Sequence, residues 1–122
     1  MLAHAREDLP NECCGIVATK DGSAVRVYPA TNAVPSPLRF EIDPRDLIRI
    51  HTDIEKSGHE MGSMYHSHVK SAAYPSQTDV NFAQNWPGVV WLIVSMADRE
   101  DPDLRGFRIS GAEIEEVPLT IE

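Results

Sequence analysis

YHSHVKSAAYPSQTD, residues 65–79, carries two histidines one residue apart and then, across a short polar connection, the pattern Ser-x-x-Asp. Met61 to His68 is expected to form a strand, so His66 and His68 project from one face with Met64, while Tyr65 and Ser67 point to the other. Ser76 to Trp86 is expected to form a helix halted by Pro87-Gly88, with Asp79 near its start. A strand and a following helix can thus bring two imidazoles and a carboxylate together. Catalytic zinc uses such a three-ligand set, leaves the fourth position for water, and lowers that water's pKa from ~15.7 to about 7.

The flanking sequence alternates strands and helices. Leu2 to Leu9 looks like the end of a helix, stopped by Pro10 and Asn11, and a helix this short leaves open that the domain begins a turn or two upstream. CGIVAT, Cys14 to Thr19, is apolar and β-branched as a strand should be. Asp21-Gly22 marks a hairpin turn returning through Ala24 to Tyr28. A Pro/Asn/Ser-rich loop runs through Pro37, followed by a short expected strand, Phe40 to Ile42. Asp43-Pro44-Arg45-Asp46 supplies a helix cap, a proline at the first helical position and an early acid. Leu47, Ile50 and Ile54 mark one face of that helix, which ends near Gly58. VVWLIV, Val89 to Val94, is apolar throughout and should be covered on both faces. Phe107 to Ile109 and Ala112 to Val117 close the chain as a hairpin around Ser110-Gly111. This order predicts an α/β domain with a mixed or mostly antiparallel sheet and helices packed against it. It contains no glycine-rich phosphate loop.

Bulk properties narrow the function. A chain of 122 residues with 42% hydrophobic and 25% charged residues is expected to be a single domain, 1–122, with a core of its own. The formal net charge of -8 repels phosphates, which argues against nucleic acid or an anionic membrane as partner. No apolar run approaches the ~20 residues of a membrane span. MLAHAREDLP lacks the basic-then-apolar layout of a secretory signal. Cys13 and Cys14 are neighbours, so a mutual disulfide would be strained; free thiols and no signal lead us to expect a cytoplasmic protein.

A zinc hydrolase also needs a group that takes the water's proton and gives it to the leaving amine. Glu12, just before the CCGIV strand, is the candidate base. Ser76 could offer its hydroxyl to the developing oxyanion. Each feature has a plainer alternative. Ser76 and Asp79, at i and i+3, also form a helix capping box, a role that competes for the serine hydroxyl but can coexist with metal binding by the aspartate. A lone His-x-His arises by chance, and an isolated glutamate is usually a surface residue. The joint pattern favours function. His4, His51 and His59 have no partner at ligand spacing and are expected on the solvated surface. Cys14 should be a small buried hydrophobe.

Together, Glu12 in NECCGIV and His66-Ser67-His68, Ser76 and Asp79 in HSHVKSAAYPSQTD resemble the JAMM (MPN-plus) zinc metallopeptidases. The family pattern is a glutamate before a Cys-Gly-aliphatic strand, then His-Ser/Thr-His, then Ser-x-x-Asp. The resemblance runs essentially the whole length of the chain. Val69 departs from it, standing where many members carry proline. The resemblance implies the JAMM/MPN fold, a curved sheet flanked by helices and similar to cytidine deaminases. It implies one zinc ion on His66, His68 and Asp79, with Glu12 polarising the water and Ser76 steadying the tetrahedral intermediate. It also implies cleavage after the Gly-Gly tail of ubiquitin or a ubiquitin-like protein. The motif segment looks most similar to bacterial members that remove cysteine from the C-terminal glycine of a small sulfur-carrier protein, in a route to cysteine. A general ubiquitin-like deconjugase is the nearby alternative. A metal-free MPN interaction module would be expected to lack some of these residues. A two-histidine, one-carboxylate iron oxygenase would have a β-barrel with many more strands.

Overall fold

The computed structural model describes residues 1–34, 36 and 40–119. Among them are three helices and six strands: α1 (Leu2–Asp8), β1 (Cys14–Lys20), β2 (Ser23–Ala30), α2 (Pro44–Lys56), β3 (Glu60–His68), α3 (Gln77–Ala83), β4 (Val90–Ser95), β5 (Asp103–Ser110) and β6 (Glu113–Val117). The strands form one sheet in the order β2-β1-β3-β4-β5-β6. Neighbours run antiparallel except β3 and β4, which are parallel. The sheet is therefore mixed. Its parallel pair requires the chain to cross over between those strands, and the crossover carries α3.

Alternation along the central strands divides the core in two. Ile16, Met64 and Trp91 face one way and pack with Ile50 and Ile54 of α2 and Ala83 of α3. Val17, Tyr65, Leu92 and Val94 face the other way, toward Ala5 of α1. Covering both faces is what the continuously apolar β4 requires, and Trp91 to Val94 are all buried. The α2 start is as the sequence suggests: the Asp43 side chain accepts from the Arg45 N–H at 2.8 Å, with Pro44 in the first turn. Gly15 lies opposite Tyr65 in the ladder, and a Cβ at Gly15 would overlap the Tyr65 ring. The aromatic side chain crosses the sheet where glycine leaves room for it.

Several expected boundaries move. Phe40 to Ile42 forms no strand; Ile42 makes one isolated bridge with Asn32. The loop before it, through Pro37, lies partly outside the described residues. The helix expected to reach Trp86 ends at Ala83 and unwinds into turns closed by Asn85 N–H to Phe82 O and Trp86 N–H to Ala83 O, both 3.1 Å. Trp86 keeps its apolar contact without helical backbone. β5 begins at Asp103, several residues ahead of Phe107, because pairing with β4 extends along a segment whose side chains are largely polar.

Candidate active site

His66 and His68 occupy the last turn of pleat in β3, and both are buried. Asp79 stands at the third position of α3, also buried. Their inward atoms meet in a small triangle: His66 Nε2 to His68 Nε2 is 3.1 Å, His66 Nε2 to Asp79 Oδ2 is 3.1 Å, and His68 Nε2 to Asp79 Oδ2 is 2.9 Å. The sequence spacing therefore does bring the three groups together.

Their surroundings orient them. The His66 ring stacks on Phe40, centroids 4.5 Å apart, and lies edge-on to Trp91. His66 Nδ1 is buried with no hydrogen-bond partner among the described residues. His68 Nδ1 lies 2.9 Å from the Ala72 carbonyl. A carbonyl can only accept, so Nδ1 carries the proton, and a neutral His68 presents its Nε2 lone pair inward. Asp79 Oδ2 is an acceptor too. Two acceptors 2.9 Å apart repel unless positive charge lies between them, which either a second proton on His68 or a cation would supply.

The titration behaviour has the same origin. Burial depresses His66 below the ordinary histidine range. Burial also works against charging His68, but hydrogen bonds to Asp79 and the Ala72 carbonyl outweigh it and raise that ring. Asp79 is likewise opposed by burial, yet its bonds to both histidines hold its carboxyl well below the usual range.

These residues suit a zinc ion. Two imidazole nitrogens and one carboxylate oxygen are a catalytic zinc donor set, and bonds of ~2.0–2.1 Å in a tetrahedron place ligand atoms about 3.3 Å apart. The observed edges of 2.9 and 3.1 Å need to open only slightly. The same three groups form the candidate metal cluster among the described residues.

Ser76 caps α3. Its hydroxyl accepts from the Asp79 N–H at 3.1 Å, and Asp79 Oδ2 accepts from the Ser76 N–H at 3.0 Å. The cap uses a lone pair of the serine oxygen and leaves its proton free. Capping and oxyanion donation thus do not compete for the hydroxyl as the sequence had suggested.

Glu12 is buried two residues before β1 begins. Burial raises its carboxyl to about 8; His68 works against that shift and Asp79 adds to it. The main chain here is tied from three segments. Glu12 N–H donates to Ser36 O at 2.8 Å, Asn32 Nδ2–H donates to Glu12 O at 3.1 Å, and Cys13 N–H donates to Ser67 Oγ at 2.8 Å. Ser67, the middle residue of His-Ser-His, thereby fastens the Glu12 segment to the histidine strand from the opposite face. Sequence reasoning passed over Ser67 and Asn32 because their partners are backbone groups distant in the chain.

The remaining histidines divide. His51 is exposed and pairs with Glu55 at 3.6 Å, as expected of a surface residue. His4 is not a solvated residue: its Nδ1 is 2.8 Å from the Tyr65 hydroxyl because α1 lies against the sheet, and its Nε2 is 3.3 Å from Asp8 one turn on in the same helix. Nor is His59, whose Nδ1 is buried after α2. Both cysteines are free and buried, Cys14 in the core as expected.

Residues 1–110 match the family described as prokaryotic homologs of the JAB domain. The chain belongs to the JAB family. As a JAB (JAMM/MPN) protein it is a hydrolase of the JAMM type, and its open mixed sheet flanked by helices is the JAB/MPN fold. It is 36% identical to a CysO-cysteine peptidase of Mycobacterium tuberculosis over 99% of this chain and 84% of that one. It is 35% identical to a desampylase of Haloferax volcanii, covering 100% of this chain and 89% of the relative. A solution structure of a protein from Desulfitobacterium hafniense superposes with a TM-score of 0.89 at 36% identity, over 100% of this chain and 86% of that one. Among the described residues, no helix of this JAB protein is long and apolar enough to cross a membrane.

Proposed function

We propose that this protein is a zinc-dependent peptidase that hydrolyses the amide bond after the C-terminal glycine of a small ubiquitin-like sulfur-carrier protein, releasing cysteine. His66, His68 and Asp79 would hold the zinc, Glu12 would be the general base and Ser76 an oxyanion donor. The observation that carries this most is the triangle of Nε2, Nε2 and Oδ2 atoms at 2.9 to 3.1 Å, in a chain similar throughout to a CysO-cysteine peptidase.

Zinc, when bound, supplies Lewis acidity that brings the pKa of a water from ~15.7 to about 7. His68 contributes its Nε2 lone pair because the Ala72 carbonyl holds the proton on Nδ1. Glu12, in its ionised form, accepts a proton from the attacking water and delivers it to the amine nitrogen as the C–N bond breaks. Ser76 donates its free hydroxyl proton to the carbonyl oxygen as negative charge develops there. The products are a carrier ending in a glycine carboxylate and a free amine. The net charge of -8 disfavours nucleic acid as a partner, and the expected setting is the cytoplasm.

A second assignment, a deconjugase of ubiquitin-like conjugates, draws support from the similarity to a desampylase. Mass spectrometry separates them. A carrier protein ending in Gly-Gly-Cys should lose one cysteine in the presence of the protein and keep it when a chelator is added. Persistence of the cysteine in both arms would reject the proposal, and cleavage confined to a lysine-linked conjugate would favour the deconjugase.

A further inference from the structure

Ser95 ends β4 beside His68, its partner in the parallel ladder. It is buried, and its hydroxyl leaves the sheet to donate to the Ser71 carbonyl at 2.6 Å while accepting from the Ala97 N–H at 3.3 Å. The next carbonyl along the loop, that of Ala72, accepts both from the His68 ring at 2.9 Å and from the Tyr74 N–H at 2.8 Å. One peptide unit therefore separates the Ser95 anchor from the group that decides where the His68 proton sits.

The far end of the loop is held by Ala73 in the core and by the Tyr74 ring, edge-on to Phe107 at 5.5 Å. Val69 and Ala73 are buried at its two ends, but residues 70–72 between them are exposed. Among the described residues, the hydrogen bonds reaching residues 70–72 from the sheet come from Ser95 and from the His68 ring itself. Besides the imidazole it orients, the Ala72 carbonyl is held by the Tyr74 N–H, a contact between near neighbours in the loop that does not itself tie residues 70–72 to the sheet. It needs a second anchor to the sheet, and the Ser95 hydroxyl provides one.

We infer that Ser95 is a positioning residue: by pinning Ser71 it keeps the Ala72 carbonyl over His68 Nδ1, and so keeps the Nε2 lone pair directed at the site. The inference rests on the proposed function only in treating that lone pair as a metal ligand. The tautomer itself can be read without metal.

The test compares the full chain as wild type, Ser95→Ala and Ser95→Thr. Long-range proton–nitrogen NMR spectra of the metal-free protein, at a pH where the ring is neutral, report the His68 tautomer. Competition against a chromophoric chelator reports zinc affinity. Wild type and Ser95→Thr should show the Nδ1–H form. Ser95→Ala should show a mixture of tautomers and bind zinc about 10-fold more weakly, the lower end of the effect of removing outer-shell support. If Ser95→Ala does not fold, Ser95→Cys, similar in size with a weaker donor, carries the same comparison. An unchanged tautomer and unchanged zinc affinity in the hydroxyl-less variant would overturn the assignment, whatever its melting temperature. So would failure of Ser95→Thr to restore both. Wild-type protein with the Nδ1–H form that takes up no zinc would instead reject the metal assignment and leave the role of Ser95 in setting the tautomer intact.

Discussion

Ser76 and Asp79 hold each other, the serine oxygen on the aspartate N–H at 3.1 Å and the aspartate oxygen on the serine N–H at 3.0 Å. The carboxylate that faces the two histidines is thus steered by the residue proposed to steady the oxyanion. Ser76→Ala should lower stability by about 1 kcal/mol through loss of the cap, and turnover by up to ~10³-fold through loss of the donor. Thermal melts and steady-state kinetics on the same preparation separate the two effects. Lower Tm with turnover intact would leave the serine as a cap alone.

Glu12→Gln should retain about one zinc per chain, since the three ligand groups are untouched, and lose about 10²–10⁴-fold in hydrolysis. Metal analysis alongside the cysteine-release assay checks it. Full activity in this variant would remove Glu12 from the mechanism.

His68→Ala removes one corner of the triangle and should emerge from dialysis with most of its zinc gone. A chelator should abolish activity in the wild type, and added zinc should restore it. Normal zinc content in His68→Ala would contradict the ligand assignment.

The Asp43 cap should make stability depend on pH. The Arg45 N–H, and then its guanidinium, hold the Asp43 carboxyl below the usual carboxylate range. A folded-state pKa below the unfolded value of about 3.9 contributes stability above that pH, and the contribution disappears as pH falls through the folded value. Asp43→Ala should therefore be less stable than wild type near neutrality, with the gap closing below about pH 4. Urea unfolding at several pH values measures this, and a constant gap would exclude the charged cap as its cause.

Burial pushes the Cys13 thiol up to about 11 and the Cys14 thiol up to about 12. Both should stay silent toward a disulfide thiol reagent near pH 8 in the folded protein, and two should react once it is unfolded. Fast native-state reaction of Cys13 would show that α1 does not cover it, and of Cys14 that the core beneath α2 is open.

How much of this was legible in the sequence depended on whether the cause was local. Cys14–Lys20 and Val90–Ser95 could be read because strands buried on both faces leave unbroken apolar runs. The alternation of Met64, Tyr65, His66, Ser67 and His68 between faces followed from the pleat alone. Strand order could not be read, because nothing in β3 or β4 records that they pair in parallel across an intervening helix. Phe40 to Ile42 has strand chemistry without a strand's partner. His4 was misplaced because its partner Tyr65, 61 residues away, comes near only when α1 docks. His66, His68, Asp79 and Glu12 were visible as a pattern, whereas the supports of the Glu12 segment from Asn32 and Ser67 are tertiary and left no spacing to recognise.

The parallel run of β3 beside β4 also bears on where this domain can grow. The segment from Val69 to Ser76 carries the Ala72 carbonyl that bonds His68 and the Ser76 cap that bonds Asp79, so residues added there fall between groups the site uses. Residues added after Ala83 come downstream of all three groups and leave them in register. The exit side of the crossover helix is therefore where new peptide disturbs this centre least.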